Sequence, residues 1–472
     1  MNNLVKTLIH RMSNATGTVL TEDHLRVLEY AYNFYEQHRV GPLYHNIKRQ
    51  TGVSRTMIDQ LFPYGLNSIY TWVGIPIHAA DDGCKPFVAI DVENARHVYL
   101  DYNATTPLRP EIIDCLSRYH SDPLSFGNPS SSTNLGKHAY DLVHRARIQV
   151  AKCLNVKLEE IVFTGGGSEA NNLALKGIAF RHLTNKGHII SSQTEHPSML
   201  RTLEFLESLG FAVTYLGVDH TGRVSPQAVR EHLRRDTILV AIMVANNEIG
   251  VINPIAEIGQ ICQTAGVPLL VDAVQGFGKI RLRPKELGIS LLTLSGHKIY
   301  APKGIGALFV TEGLALTPLV HGGGQEGGFK SGTENVGSIM ALGWAAKLAH
   351  AEMDQEHDRL LGLRDFFLSE LYKIVPDLIV NGSLEDRLAN NLNVGFPHID
   401  SGSLLLSLNQ IGVYVSAGSA CSAGSREVSH VIRALGVNAD NYGIIRFSFG
   451  LQTTQADLEY LLTYLPQILK DL

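Results

Sequence analysis

Ile161-Val162-Phe163-Thr164-Gly165-Gly166-Gly167-Ser168-Glu169-Ala170-Asn171-Asn172 is the stretch on which the fold turns. A short β-branched and aromatic run ends in three glycines, and a helix-forming segment, 168–182, follows. Glycines let backbone N–H groups close on an anion, and the first turn of a helix favours negative charge there. A plain turn needs one glycine rather than three, so the junction reads as a phosphate cup. The same alternation continues outward. Apolar runs at 161–163, 188–191, 239–244 and 269–271 are interleaved with helical stretches such as 168–182 and 198–209. This predicts a parallel sheet covered on both faces, with the site at the carboxyl ends of the strands. No internal repeat or low-complexity segment interrupts it.

Length and composition narrow the class. At 472 residues the chain exceeds one ordinary core, so two or three domains are expected. Hydrophobic residues make up 44% and charged residues 18%, the balance of a chain that buries a sizeable core. Forty Lys and Arg against forty-five Asp and Glu leave a net charge of −5, which argues against a polyanion binder. The longest aliphatic run, 238–245, is far short of the roughly 20 residues of a membrane helix. The polar start, with Asn2, Asn3, Lys6 and Thr7, lacks a secretory h-region. Cys84, Cys115, Cys153, Cys262 and Cys421 form no Cys-x-x-Cys pair, and their odd number argues against a disulfide framework. The expectation is a cytoplasmic α/β enzyme with reduced thiols and no metal site.

Two further strand ends carry chemistry. Ser295-Gly296-His297-Lys298 follows the apolar run 291–294. Desolvation there lowers the pKa of a lysine and frees its amine to form a Schiff base. Val271-Asp272-Ala273-Val274-Gln275 places Asp272 at the end of another buried strand, where a lone Asp could equally be a helix cap. A phosphate cup, a strand-end Asp and a strand-end Lys together form the pattern expected for pyridoxal phosphate. The Asp pairs with the pyridinium nitrogen while the Lys holds the aldehyde. Gly322-x-Gly324-x-x-Gly327 matches a dinucleotide fingerprint in spelling only, since Phe329-Lys330-Ser331-Gly332 follows rather than a helix.

From about Val98 onward the chain resembles the cysteine desulfurases of the NifS/IscS type, in the class V aminotransferase group of fold type I. The segments that carry the resemblance are Tyr99-Leu-Asp-Tyr-Asn-Ala-Thr-Thr-Pro107, Gly127-Asn-Pro-Ser-Ser-Ser132, Thr194-Glu-His196, Asn246-Asn-Glu-Ile-Gly250 and Asp272-Ala-Val-Gln275. They continue with Ser295-Gly-His-Lys298, Ser331-Gly-Thr-Glu-Asn335, Gly418-Ser-Ala-Cys421 and Arg446-Phe-Ser448. The resemblance implies a large domain at about 112–350 with a mostly parallel seven-stranded sheet, and a smaller α+β domain from 98–111 and 351–472. It implies that Lys298 is the Schiff-base lysine, that His196 stacks on the pyridoxal ring, and that Asp272 and Gln275 hold the ring nitrogen and hydroxyl. Gly167, Ser168, Ser295 and His297 would hold the phosphate, with Thr333 reaching it from the partner of a homodimer. Asn247 and Arg446 would bind the substrate, L-cysteine, with the guanidinium gripping its carboxylate in a fork.

Cys421 decides the reaction. It sits in Ser416-Ala-Gly-Ser-Ala-Cys-Ser-Ala-Gly-Ser425, which has no large apolar side chain to bury it, whereas a free cysteine is usually a small buried hydrophobe. A thiolate on such a loop can approach the substrate, take its sulfur and leave as a persulfide. The eight residues from Cys421 to Ser429 resemble the longer catalytic loop of this branch rather than the shorter loop of its selenocysteine-preferring relatives. The sulfur would pass to an acceptor protein of iron–sulfur cluster assembly or of a tRNA-thiolation relay. A selenocysteine lyase or plain aminotransferase of the same fold stays open. The sequence departs from the family at Gln325-Glu-Gly-Gly-Phe-Lys330, where a basic run is usual, at Gly167-Ser168, and at Leu451-Gln452 in place of an Arg.

Residues 1–85, joined by a linker at 86–97, read as a separate helical module. Leu25, Leu28, Tyr32 and Tyr35 lie at helical spacing behind Thr21, Pro42 can open a second helix, and Ser54 can cap a third that stops at Pro63. Residues 47–62 also fit a helix-turn-helix, which would make the protein a DNA-binding regulator with a desulfurase-like sensor. Eight basic and seven acidic residues in 1–85 give only +1, however, too little for a nucleic-acid face. The module resembles the DsrC/TusE sulfur-relay family instead, through Leu20-Thr-Glu-Asp-His24, Tyr30-Ala-Tyr-Asn-Phe-Tyr35, Gly41-Pro42, Leu61-Phe-Pro-Tyr-Gly65 and Gly74-Ile-Pro-Ile77. Cys84 stands where that family keeps its sulfur-accepting cysteine, except that this chain continues.

Overall fold

The computed structural model describes residues 9, 13, 18–38, 42, 44–62, 69, 72–73, 96–417, 429–438 and 441–472. They fall into two compact units, Met1–Ala95 and Arg96–Leu472. The first contains helices α1 (Glu22–His38), α2 (Tyr44–Thr51) and α3 (Arg55–Leu61). Ser54 caps α3 by accepting the Met57 N–H at 3.3 Å, and Gly52 takes the positive φ (+76°) that turns the chain out of α2. Pro42 stands two residues ahead of α2 rather than opening it. Leu25 is exposed, because the buried stripe of α1 is centred between Leu28 and Ala31 and includes Val27 and His24. His24 accepts the Thr21 N–H at Nδ1 and meets the Leu61 carbonyl oxygen with Nε2 at 3.0 Å. Ile47, Ile58, Phe62 and Trp72 complete this small core.

The second unit runs β1 (Val98–Tyr99), α4 (Pro110–Ser121), α5 (Asn134–Leu154), β2 (Ile161–Thr164), α6 (Gly167–Ala179), β3 (His188–Ser192), α7 (Pro197–Ser208), β4 (Ala212–Leu216), α8 (Pro226–His232) and β5 (Thr237–Met243). It continues with α9 (Ile255–Ala265), β6 (Leu269–Asp272), β7 (Leu291–Ser295), β8 (Gly306–Val310), α10 (Val336–Ile374), β9 (Ile379–Val380), β10 (Asn391–Pro397), α11 (Ser401–Gln410), β11 (Val413–Tyr414), α12 (His430–Ala434), β12 (Tyr442–Ser448) and α13 (Gln455–Asp471). Seven strands form one sheet in the order β2-β8-β7-β6-β5-β3-β4. Only β8 runs against its neighbours; the other ladders are parallel. Helices cover both faces, so β2, β3, β6, β7 and β8 are buried from end to end. A smaller antiparallel sheet, β12-β10-β9, and the parallel pair β1-β11 lie beside it.

Residue 350 lies inside α10, a single helix of 39 residues. Its first part packs Val336, Ile339, Leu342 and Ala346 into the core of the large sheet. Its last part packs Leu360, Phe367 and Leu371 into the core around β10 and β12. One rigid rod therefore belongs to both cores and fixes the smaller sheet against the larger within this unit.

Candidate active site

The carboxyl ends of the parallel strands open into a cleft with about 780 Å³ of free space. Its lining includes Asn103, Gly167, Ser168, Asn171, His196, Ser198, Asn247, Asp272, Gln275, Ser295, His297, Lys298 and Arg446. All the residues expected to meet a cofactor or substrate are thus brought together except Thr333, which is exposed and lines no part of this chain's own cleft. Cys421 and Cys84 lie outside the described residues. Of the other thiols, burial pushes Cys153 up to about 11 and Cys262 up to about 12, and it also raises Cys115, so none of the three is poised as a nucleophile.

The glycine junction links β2 to α6, with one departure from the expected cup. Gly166 stands at the N-terminus of α6 with φ +144°, a conformation that a side chain would strain. A Cβ at Gly167 would lie 2.6 Å from Cγ2 of Val274, so the bare backbone keeps this corner of the cleft open. The Gly165 N–H, however, donates to Glu169 Oε2 at 2.9 Å, and Lys330 pairs with the same carboxylate at 3.1 Å. The Gly165 N–H is thus taken up within the protein, while Gly167 and Ser168 stand in the first turn of α6, where N–H groups have no partner within the helix. Glu326, in the segment where a basic run was missing, forks onto Arg147 at 2.7 and 2.8 Å and accepts the Phe163 N–H at 2.8 Å. Acidic chemistry at 326 ties that segment to the root of β2.

Lys298 follows β7 in a short 3₁₀ turn and donates to the carbonyl oxygens of Asn103 and Ala104. Asp272 ends β6. Its Oδ1 takes the Val274 N–H and its Oδ2 takes Asn171 Nδ2, at 2.9 and 2.8 Å. The Asp is thus no helix cap alone; one oxygen is turned to the network of the cleft. Gln275 donates from Nε2 to the Asn103 oxygen at 2.9 Å and accepts from Lys279 at 3.1 Å. Burial, with the charges of Lys298 and Arg446, lowers Lys279 to about 7. His297 is held down to about 4 by burial and by Lys298 and Lys303, so it stands as a neutral ring able to donate one N–H.

His196 caps α7, its Nδ1 accepting the Ser198 N–H at 3.1 Å. Burial lowers its pKa against the opposing pull of Asp272. The preceding Glu195, pushed up to about 8 by burial, accepts the Ser192 hydroxyl and the Met243 N–H, which pins the turn that presents His196. At the far end of the cleft Arg446 is 1% exposed, donating to Asp101 at 2.5 Å and to the Asn247 carbonyl oxygen at 3.0 Å. Its Nε has no partner among the described residues. A guanidinium has five N–H donors, so a carboxylate still finds free ones here.

A buried carboxylate at one strand end, a primary amine at another and a helix N-terminus between them fit pyridoxal phosphate in charge and shape. The class-V aminotransferase model matches residues 98–461. A cysteine desulfurase IscS of Dictyoglomus turgidum is 46% identical over 80% of this chain and 95% of its own length. The chain belongs to the cysteine desulfurases of the class-V aminotransferase family. A cysteine desulfurase IscS of Methanosarcina thermophila is 45% identical over 81% of this chain and 94% of its own length. The solved structure of a NifS-like protein superposes with a TM-score of 0.75 at 34% identity, covering 80% of this chain and all of that one. That of SspA in complex with cysteine gives 0.65 at 37% identity, covering 75% and 98%. Like other cysteine desulfurases, this one uses pyridoxal 5'-phosphate, which supplies an aldehyde for amine capture and a ring that withdraws electrons.

Gly167 and Ser168 of the cup, Asp272, Lys298, His196 and Arg446, singled out from the sequence, all line this one cleft. Sequence reading assigned no role to Asp101, Asn103, Asn171, Ser198 and Lys279. Asn171 had a usable signal, since it lies one turn after Gly167 on the same side of α6. Asp101 and Asn103 lay in the quoted 99–107 motif, but it did not give their partners, because only tertiary folding carries the 98–106 segment across to β12 and Lys298.

Proposed function

We propose that this desulfurase converts L-cysteine to L-alanine, moving the substrate sulfur onto Cys421 so that a thiol becomes a persulfide and no outside oxidant is needed. The observation that carries it is where the described chain leaves and rejoins on either side of Cys421. Ser416 exchanges both backbone hydrogen bonds with Arg446, at 2.7 and 3.2 Å. His430 bonds through Nε2 to the carbonyl oxygen of Glu195, the residue before His196, at 2.9 Å. Five residues from Ser416 can reach about 17 Å, so a thiolate at 421 is within range of substrate held by Arg446.

In this reading Lys298 moves the α-proton and Asp272 holds the ring nitrogen. Gln275 holds the ring oxygen and His196 stacks. Gly167, Ser168, Ser295 and His297 hold the phosphate, and Asn247 and Arg446 grip the substrate. Thr333 serves the neighbouring subunit of a homodimer, a role that its exposure and the exposed Leu124 and Phe126 support. The first unit is a DsrC/TusE-like relay in which Cys84 takes sulfur from Cys421 before a cytoplasmic acceptor, with iron–sulfur cluster assembly as the destination. Among the described residues no helix is long and apolar enough to cross a membrane.

Turnover with sulfur-labelled L-cysteine, followed by peptide mapping, checks both steps. Label is expected on Cys421 and Cys84, on neither in Cys421→Ser, and on Cys421 alone in Cys84→Ser. Undiminished alanine production in Cys421→Ser would overturn the proposal. Label confined to Cys421 would overturn the relay and leave the first unit a docking domain.

A further inference from the structure

One buried amide joins two of the groups assigned to the cofactor. Thr293, fully buried on β7, donates its hydroxyl to Asn171 Oδ1 at 2.8 Å. Asn171, 1% exposed on α6, donates from Nδ2 to Asp272 Oδ2 at 2.8 Å and to Ser198 Oγ at 2.9 Å. Ser198 Oγ in turn lies 2.8 Å from His196 Nδ1.

The direction of every bond in this chain is fixed by proton inventory. An ionised Asp272 can only accept, so the amide must turn its NH₂ toward it, which leaves the carbonyl for Thr293. Ser198 Oγ receives the second amide hydrogen, so its own proton goes to His196 Nδ1, which the Ser198 N–H also addresses. The neutral imidazole then carries its proton on Nε2. No donor is left facing a donor anywhere along the chain.

We infer that Asn171 is a positioning residue that sets Asp272 and His196 together, one amide holding the carboxylate aimed at the ring nitrogen and, through Ser198, the tautomer of the ring that stacks above it. Neither partner achieves this alone. Asp272 sits at the end of β6 and His196 at the start of α7, and no bond between their side chains links them. Asn171, on a third element, is the shared support, and Thr293 on a fourth stops the amide from turning over. Losing the donor costs a charge-assisted bond to Asp272, so cofactor affinity should fall about tenfold.

This rests on the roles proposed above for Asp272 and His196, so one readout is taken without cofactor. The full-length protein is examined as wild type, Asn171→Leu, Ser198→Ala and Thr293→Val. Nitrogen NMR of His196 is recorded in the cofactor-free protein. Nitrogen NMR of ¹⁵N-labelled pyridoxal 5'-phosphate is recorded after loading. Asn171→Leu should mix the His196 tautomers, move the cofactor nitrogen toward its unprotonated shift and weaken cofactor binding about tenfold. Ser198→Ala should move His196 alone. Thr293→Val should reproduce both shifts of Asn171→Leu at smaller amplitude, and it serves in its place if the leucine variant does not fold. Native nitrogen shifts in both Asn171→Leu and Thr293→Val, with only a lowered melting temperature, would overturn the inference. A His196 response without a cofactor-nitrogen response would instead count against the role of Asp272.

Discussion

At one end of the cleft Gly167, Ser168, Asp272, Ser295, His297 and Lys298 stand where strands of a single sheet hand over to a helix or turn. At the other end Asp101, Asn247, Ser416 and Arg446 arrive from segments up to 345 residues apart. At the first end, Asp272 and Lys298 are already bonded within the protein. The second keeps Arg446 Nε buried and without a partner among the described residues. Leaving a buried donor unmatched is costly unless a ligand completes it. On the proposed roles, Asp272 and Lys298 are braced within the protein before any ligand arrives, while Arg446 keeps a donor for the substrate.

Lys298→Ala tests the first end and carries the largest expected effect. Turnover should fall by about 10³-fold or more, since the covalent amine and the proton carrier proposed for the α-carbon would both be lost. The yellow absorption of the protein as isolated should vanish with it, and retention of that band would remove Lys298 from its role. Arg446→Lys tests the second end. An ammonium keeps the charge but loses the planar fork, so KM for cysteine should rise roughly tenfold or more while the cofactor absorption stays native. Loss of the absorption in that variant would break the division between the two ends.

Lys279 sits on the seam, bonded to Gln275 and sensing both Lys298 and Arg446. Its pKa is about 7 when folded against the ordinary lysine value of 10.5, so the unfolded chain binds more protons between those values. Stability from this group is lowest below pH 7 and recovers as the pH rises toward 10.5. Lys279→Met should therefore raise the melting temperature at pH 6 by a few degrees and much less at pH 9. Equal gains at both pH values would show that the amine is not desolvated.

The two ends also differ in how far they could be read. The cup, Asp272 and Lys298 were legible because each is a local event, a strand end followed by a glycine or a polar residue, and local order is written in contiguous sequence. Arg446 was found only through its resemblance to a family. Its pairing with Asp101 was invisible, since it requires β12 and the 98–106 segment to meet. In the first unit the helices and the Ser54 cap were legible, whereas the rotation of α1 that buries His24 and exposes Leu25 depends on what α3 offers it, the Leu61 carbonyl.

By itself, the sequence determined the alternating α/β order, the glycine junction and the identity of the chemical groups, because periodicity and backbone permissiveness are properties of neighbouring residues. Tertiary structure alone decided the reversed β8, the single helix α10 shared by two cores, the diversion of the Gly165 N–H to Glu169, and the amide of Asn171 placed between Asp272 and Ser198. Each of these depends on a hydrogen bond or packing partner brought close only when distant elements close on one another. A buried polar group takes its direction from whichever partner the fold supplies.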